Sequence, residues 1–457
     1  MNIKSILLLG FISFSIFSFG MNKPAINKND ESSVSVLDFG AIGNGIVDDS
    51  GAFQKAILYC ILNKKTLYVP KTSKSYNLNK TIRVNLSKGE KIKIISNQAA
   101  ITPKITDIST AYKLTSFKEH IFISIGRKIN SIHTIENPEE NYGTEISISG
   151  LIIDGKNQKN VEQVTSYDND IYIGAQLIAE RVKLTDCVFR NIHGYGVRIH
   201  EVSDSKIKHC EFINVGGRGG TAFVNTADFD AFGDAIYHAK VNANANIIID
   251  DCVFVGKKQN KKRSRSAITF EFSLFPYNVN LKNLDIEGYA KCLHVEETAA
   301  TLFQIENVKM KDFNFGIANV LNDKTVMYLD NCILEVGFND GNDAGDALAF
   351  LNYRSAAKIY VNRSTLDFNG RRNAYQSAVG LIKVKNSIIN GNNTNFFFAD
   401  GSTSFSQCRF INFGGSQMSF MSLNPKDLYL IEDSIFKGVP ISAIKGHNVK
   451  LEIKRSR

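Results

Sequence analysis

The chain has 457 residues, 43% of them hydrophobic, with 54 Lys and Arg against 45 Asp and Glu and a formal net charge of +9. Seven cysteines, an odd count with no paired spacing, speak against a disulfide framework. The length admits two or three ordinary domains or one long solenoid, and the basic balance points to an anionic partner, an acidic polysaccharide in preference to nucleic acid.

In chain order, the first twenty residues, MNIKSILLLGFISFSIFSFG, carry Lys4, an apolar run from Ile6 to Phe19, and the small residues Ser18 and Gly20 at cleavage-compatible positions. That is the pattern of a secretory signal peptide over residues 1–20, and it predicts a secreted or periplasmic protein. The run is short for a membrane span and nothing later reaches the length one needs, so no span is expected.

The stretch DFGAIGNGIVDDSGAFQKAI, Asp38 to Ile57, holds an acidic pair that invites a catalytic reading. Its surroundings favour a structural one. Gly40, Gly43 and Gly45 form a turn-rich run, and Phe53, Ile57 and Ile61 then recur at helical spacing with Ala56 and Cys60 beside them. Asp48 and Asp49 are placed to cap that helix. With the strand-like TLYVP at Thr66 to Pro70, the segment resembles the N-terminal signature of the pectate lyase/rhamnogalacturonase-like superfamily. The resemblance implies an all-β, right-handed, single-stranded parallel β-helix, capped at its N-terminus by this helix. Residues 33–70 are then the capping segment of one domain spanning 33–453. The signature speaks for fold and not for reaction, since hydrolases, lyases, epimerases and phage tailspikes share it.

Downstream a unit recurs: LTDCVF (184–189), IKHCEF (207–212), IDDCVF (249–254), LKNLDI (281–286), IENVKM (305–310), LDNCIL (329–334), VNRSTL (361–366), VKNSII (384–389), FSQCRF (405–410) and IEDSIF (431–436). Its fourth position is small or apolar and the residue before it is polar, usually Asp or Asn. Most intervals are 21 to 26 residues, one coil of a β-helix, while three are 42, 32 and 32. Five of the seven cysteines fall in this one slot, which reads as a stacked core position and not as a disulfide or metal framework.

Ahead of each unit lies a further strand, aligned by the pairs Gly196-Val197, Ala235-Ile236, Ala267-Ile268, Cys292-Leu293 and Gly316-Ile317. With the aliphatic residue inward, the next outward position holds Arg198, Tyr237, Thr269, His294 and Ala318. The one after it holds His200, Ala239, Glu271, Glu296 and Val320. Alternation predicts an exposed sheet face bearing these groups. The extra residues at 215–232, 257–266 and 337–346 all enter just before this strand, so they should wall one edge of it. One of them, KKQNKKRSR, carries Lys257, Lys258, Lys261, Lys262, Arg263 and Arg265, and it reads either as a solvated loop or as a grip for a polyanion.

Candidate roles follow from residue type. Glu271 and Glu296, on adjacent coils, fit an acid–base or nucleophile pair, a Ca²⁺ clamp, or a surface ladder neutralised by Arg265. His294, two residues from Glu296, fits a base oriented by that carboxylate. Tyr237 fits a proton donor or a platform for a sugar ring. Arg198 suits recognition of a carboxylate or sulfate, or a pairing with Glu201; His200, Arg265, Lys261 and Lys262 complete the binding set. No cofactor beyond that Ca²⁺ is implied, and a monomer is expected.

Subfamily motifs of the superfamily are incomplete. NTADFD at 225–230 and GDA at 233–235 stand without the GHG loop of polygalacturonase-like hydrolases. GYGVRIHE at 194–201 resembles a region of mannuronan C5-epimerases, but Arg198 replaces the aspartate those enzymes need, so epimerisation does not carry over. The combined expectation is an exported enzyme cleaving an anionic polysaccharide. β-Elimination with His294 as base and Tyr237 as acid is slightly preferred to hydrolysis by the glutamate pair. The third reading is a polyanion-binding protein without catalysis.

Overall fold

Sharp corners, set by polar residues with left-handed backbone, turn the chain from one strand to the next. In the computed structural model the residue before each repeat slot, from Asp186, His209, Asp251, Asn283, Asn307 and Asn331 to Arg363, Asn386, Gln407 and Asp433, has φ between 47° and 55°. Asn and Asp tolerate this region best, which explains their preference here. The slot residue then closes the corner. The hydroxyl or thiol of Ser364, Ser387 and Cys210 donates to the carbonyl two residues back, at 2.7, 2.6 and 3.2 Å. Its own N–H donates to the same slot on the next coil: Cys332 to Ser364 Oγ at 3.0 Å, Ser364 to Ser387 Oγ at 3.1 Å, Cys408 to Ser434 Oγ at 3.1 Å. Serine and cysteine therefore alternate because each is small enough for the interior and supplies both functions. All seven cysteines are buried and free.

The described residues are 32–104, 118–127, 141–156, 170–218, 233–259, 262–322, 324–337, 348–368, 374–391, 396–413, 418–422 and 424–457. The expected signal peptide lies outside them. Within Ser32–Arg457 the strands pair in parallel from coil to coil and form three faces. The first face runs through Arg181–Thr185, Asp204–Lys208, Asn246–Asp250 and Tyr277–Lys282. The second runs through Val188–Ile192, Glu211–Val215, Val253–Val255 and Asp285–Glu287. The third runs through Asp170–Ile178, Gly194–His200, Asp234–Ala239, Lys262–Ser273, Tyr289–Thr298 and Phe315–Val320. The fold is a parallel β-helix.

Identical positions stack inside it. Phe189, Phe212 and Phe254 lie nearly parallel, with centroids 5.2 and 5.0 Å apart, the spacing of the coils themselves. Outside, Asn283, Asn307 and Asn331 pass amide hydrogen bonds along the rod, at 3.2 and 2.7 Å. Each fully buried aliphatic or aromatic side chain contributes about 1.5–3 kcal/mol, so these columns dominate stability.

The N-terminal end carries helix α1, Ser50–Asn63, which turns Ala52, Phe53, Ala56, Ile57, Cys60 and Ile61 to the interior. The expected capping by the acidic pair is corrected in detail. Asp49 occupies the N-cap position but makes no capping bond. Its buried carboxylate instead accepts from the N–H groups of Ile42 (2.7 Å), Gly43 (3.3 Å) and Asn77 (3.2 Å), tying the glycine loop to the first coil. Asp48 is the residue that accepts from the helix start, at Ser50 N (3.0 Å), and it also accepts from Asn79 N (3.1 Å).

Candidate active site

Strand register places the two outward columns of the third face as alternation predicts. Arg198 pairs with Tyr237, Tyr237 with Thr269, Thr269 with His294 and His294 with Ala318. His200, Ala239, Glu271, Glu296 and Val320 follow in the second column on the same registers. The expectation of an exposed face is overturned. Arg198, His200, Tyr237, Thr269, Glu271 and His294 are all buried. Only Glu296 reaches solvent, with 30% of its side chain accessible.

Burial forces the charged groups into pairs, because an isolated ion removed from water costs several kcal/mol. Arg198 forms a two-pronged bond to Glu119 (2.8 and 2.9 Å) and donates from Nε to Gln176 (3.1 Å), and does not pair with Glu201. Glu201 is taken by Arg127 and Asn141. Arg198 is thus occupied, and its guanidinium also lies over the Tyr195 ring, 5.5 Å from the centroid. His200 is fully buried with no hydrogen bond at either ring nitrogen, and burial, then Arg198 and Lys240, push its pKa well below the ordinary value. It is a neutral packing residue against Tyr237, centroids 6.0 Å apart.

One group is built differently. His294 Nε2 lies 2.9 Å from Glu296 Oε2 and 3.4 Å from Glu271 Oε1. Arg265 Nη2 stands 3.6 Å from the same Glu271 oxygen, while its Nη1 holds both oxygens of Asp234 at 2.7 Å. Burial acts to raise the Glu271 carboxyl, but the His294 hydrogen bond and the charges of Arg265 and His294 outweigh it and hold the pKa at about 2. Asp234 goes the other way: its complete burial exceeds the pull of Arg265 and raises it. The Tyr237 hydroxyl donates to Glu271, and burial, then the Glu271 charge, lift its pKa well above the usual value. The phenol therefore keeps its proton and serves as a donor. Tyr195 meets it edge-on, centroids 5.2 Å apart.

This arrangement tests the Ca²⁺ reading. Glu271, His294 and Glu296 bring one ligand atom each to within 4.8 Å of one another. Two carboxylates around an imidazole nitrogen, with a guanidinium on one of the oxygens, do not match the six to eight oxygen ligands that Ca²⁺ takes. The same geometry removes His294 as a free base, since Nε2 is held by both carboxylates and Nδ1 is buried without a partner.

The basic segment is a hairpin, Lys258 pairing antiparallel with Arg263 and Gln259 with Lys262. Arg263 turns inward to Asp312 Oδ1 and Asn314 Oδ1, 2.8 Å each, so with Arg265 two of the six cations are internal. Burial brings Lys257 down to about 8. Lys261 and the side chains of Lys258 and Lys262 lie outside the described residues. Of the segment 215–232, its base is described: Gly217 N donates to Gly233 O at 2.8 Å, directly before the strand that carries Tyr237.

Sequence reasoning missed Glu119, Gln176, Tyr195 and Asp234. The first two sit on coils ahead of residue 184, where the repeat unit is absent. Asp234 lies on the inward parity of its strand, and only its place at the strand start lets it meet Arg265.

No family model matches the chain, and no curated protein matches it. Among solved structures it is similar to PfbA, a surface adhesin of Streptococcus pneumoniae, at 14% identity and TM-score 0.46, covering 93% of this chain and 91% of that one. It is also similar to a family 28 exopolygalacturonase of Yersinia enterocolitica, at 11% and 0.46, covering 93% and 77%. The Dettilon tailspike protein follows at 12% and 0.44, covering 92% and 68%. At such identities the likeness concerns the β-helical fold alone.

Proposed function

We propose that the protein is an exported carbohydrate-active enzyme that hydrolyses glycosidic bonds of an anionic polysaccharide, with Glu296 as the group that meets the sugar. One observation carries the reading: of the Glu271–His294–Glu296 relay, Glu296 alone is open to solvent and its carboxylate is hydrogen-bonded to a buried imidazole. Glu271, ionised down to about pH 2, sets its charge 3.4 Å from His294 Nε2. Glu296, held by its hydrogen bond to His294 Nε2, gives the proton of its carboxyl to the leaving glycosidic oxygen. Water adds to the anomeric carbon, and its surplus proton returns to the relay. His294, Glu271 and Tyr237 are positioning residues in this scheme. Elimination with His294 as base is not favoured, because its Nε2 is already held between two carboxylates. The net charge of +9 supports an anionic polymer as substrate, and the leader-like residues 1–20 support action outside the cell.

The test is incubation of the parent and Glu296→Gln with uronate-containing and sulfated polysaccharides, following reducing ends and ultraviolet absorbance together. Reducing ends without absorbance, lost in the variant, are expected. Unsaturated products would overturn hydrolysis, and no product from the parent on any polymer would overturn the enzyme reading.

A further inference from the structure

A groove lies on the first face, on coils that follow those of the glutamate relay. Strands Val326–Asp330, Lys358–Asn362, Ala374–Lys385 and Phe396–Ser406 stack there in parallel, with Tyr328, Tyr360, Lys383 and Ser404 in register on the outer side. The neighbouring outward column holds Asp330, Asn362, Lys385 and Ser406. Together they line an open groove of about 380 Å³.

The groove has a step in it. Tyr328 and Tyr360 stack with centroids 5.0 Å apart and planes 13° from parallel, and Tyr328 is 43% exposed. The stack covers one face of Tyr360 and turns its other face toward the coils of Lys383 and Ser404. There the aromatic wall stops, and Ser404 and Ser406 make a low floor. A wide aromatic face beside a shallow, hydroxyl-lined floor fits the apolar side of a pyranose ring and its hydroxyls. Charge decides which pyranose. Asp330, the acid of the groove, is occupied by Arg363 Nε (2.9 Å) and Asn362 Nδ2 (3.0 Å). Lys383 and Lys385 are exposed and have no ion-pair partner among the described residues. The groove thus carries two uncompensated positive charges.

We propose that this groove binds a chain of acidic pyranose units, with Tyr360 as the stacking platform and Lys383 and Lys385 as the groups that hold carboxylate or sulfate. It holds polymer independently of chemistry at Glu296 and keeps a long substrate on the rod between cleavage events. The full-length protein and its variants are run by affinity electrophoresis in gels containing polygalacturonate, dextran sulfate or uncharged dextran. Retardation by one or both charged polymers is expected, and which one distinguishes carboxylate from sulfate. Tyr360→Ala and the pair Lys383→Ala/Lys385→Ala should each raise the apparent dissociation constant about tenfold or more. Tyr360→Phe should retain binding, and Glu296→Gln should leave this retardation in place. The proposal is overturned if the parent is not retarded by either charged polymer. It is equally overturned if the Tyr360 and lysine variants, with parental thermal midpoints, migrate as the parent does.

Discussion

Glu271→Gln isolates the electrostatics of the relay, because it keeps the shape of the side chain and removes only its charge. In the folded protein the Glu271 carboxyl is held at about 2 instead of 4.5, burial being outweighed by His294 and Arg265. A depressed pKa contributes stability that is present above the unfolded value and is lost as pH falls through the folded one. The depression from 4.5 to about 2 makes the ionised group worth about 3 kcal/mol at pH 7. Glu271 is almost fully buried, so solvent screening takes little from this figure. The parent should therefore melt well above the variant at pH 7, and the gap should shrink below pH 4.5 and close near pH 2. Carboxyls remote from the relay titrate alike in both proteins and cancel in the difference. Thermal midpoints by circular dichroism at half-unit pH steps provide the measurement. A solenoid need not unfold in one step, so the shape of the difference against pH is the criterion and not its absolute size. A gap that stays constant from pH 7 to pH 3 would refute the assignment of Glu271 as an ion held by His294 and Arg265.

Other perturbations separate the remaining roles. Glu296→Gln should lower the rate on a cleaved polysaccharide at least about a hundredfold while the thermal midpoint stays near parental, as for other positioned acid–base groups. His294→Ala should lower kcat comparably and shift the pH profile, because Glu296 loses its hydrogen-bond partner; an unchanged profile would make His294 packing only. Asp49→Ala, which leaves three backbone donors without their acceptor, should cost about 1–3 kcal/mol, and Asp48→Ala about 0.5–2, with activity per folded molecule unchanged. Neutralising Lys257 and Lys258 should flatten the salt dependence of polymer binding if the hairpin grips the polymer, and binding assays between 20 and 300 mM salt, roughly two Debye regimes, read this directly.

Much of this architecture was legible because it repeats. A polar residue before a small one, recurring at coil spacing, marks the corner from Asp186 and Cys187 to Asp433 and Ser434, and the left-handed backbone with its hydroxyl or thiol closure explains both preferences. The register Arg198–Tyr237–Thr269–His294 was equally legible, since a two-residue period fixes which side chains leave the core. Burial of that face was not. Whether an outward residue meets water depends on what packs over the sheet, and alternation within a strand carries no information about that. The partners were hidden for a related reason: Glu119 precedes Arg198 by 79 positions, on a coil without the repeat unit. Asp49 shows the limit at short range, where position in sequence pointed to the helix start and the side chain serves Asn77 instead.

Buried ion pairs by themselves argue weakly for function, since replacing them with apolar side chains is often neutral or stabilising. What separates the relay from its neighbours is that one of its members reaches solvent. Arg198 meets Glu119 and Arg127 meets Glu201, with the amides of Gln176 and Asn141 beside them, and all six side chains are buried. Around His294 stand Glu271 and Glu296, and Arg265 reaches both Glu271 and Asp234. Of these groups Glu296 is the one with 30% of its side chain open to solvent. That opening is the physical reason the proposed chemistry is placed there and not at Arg198.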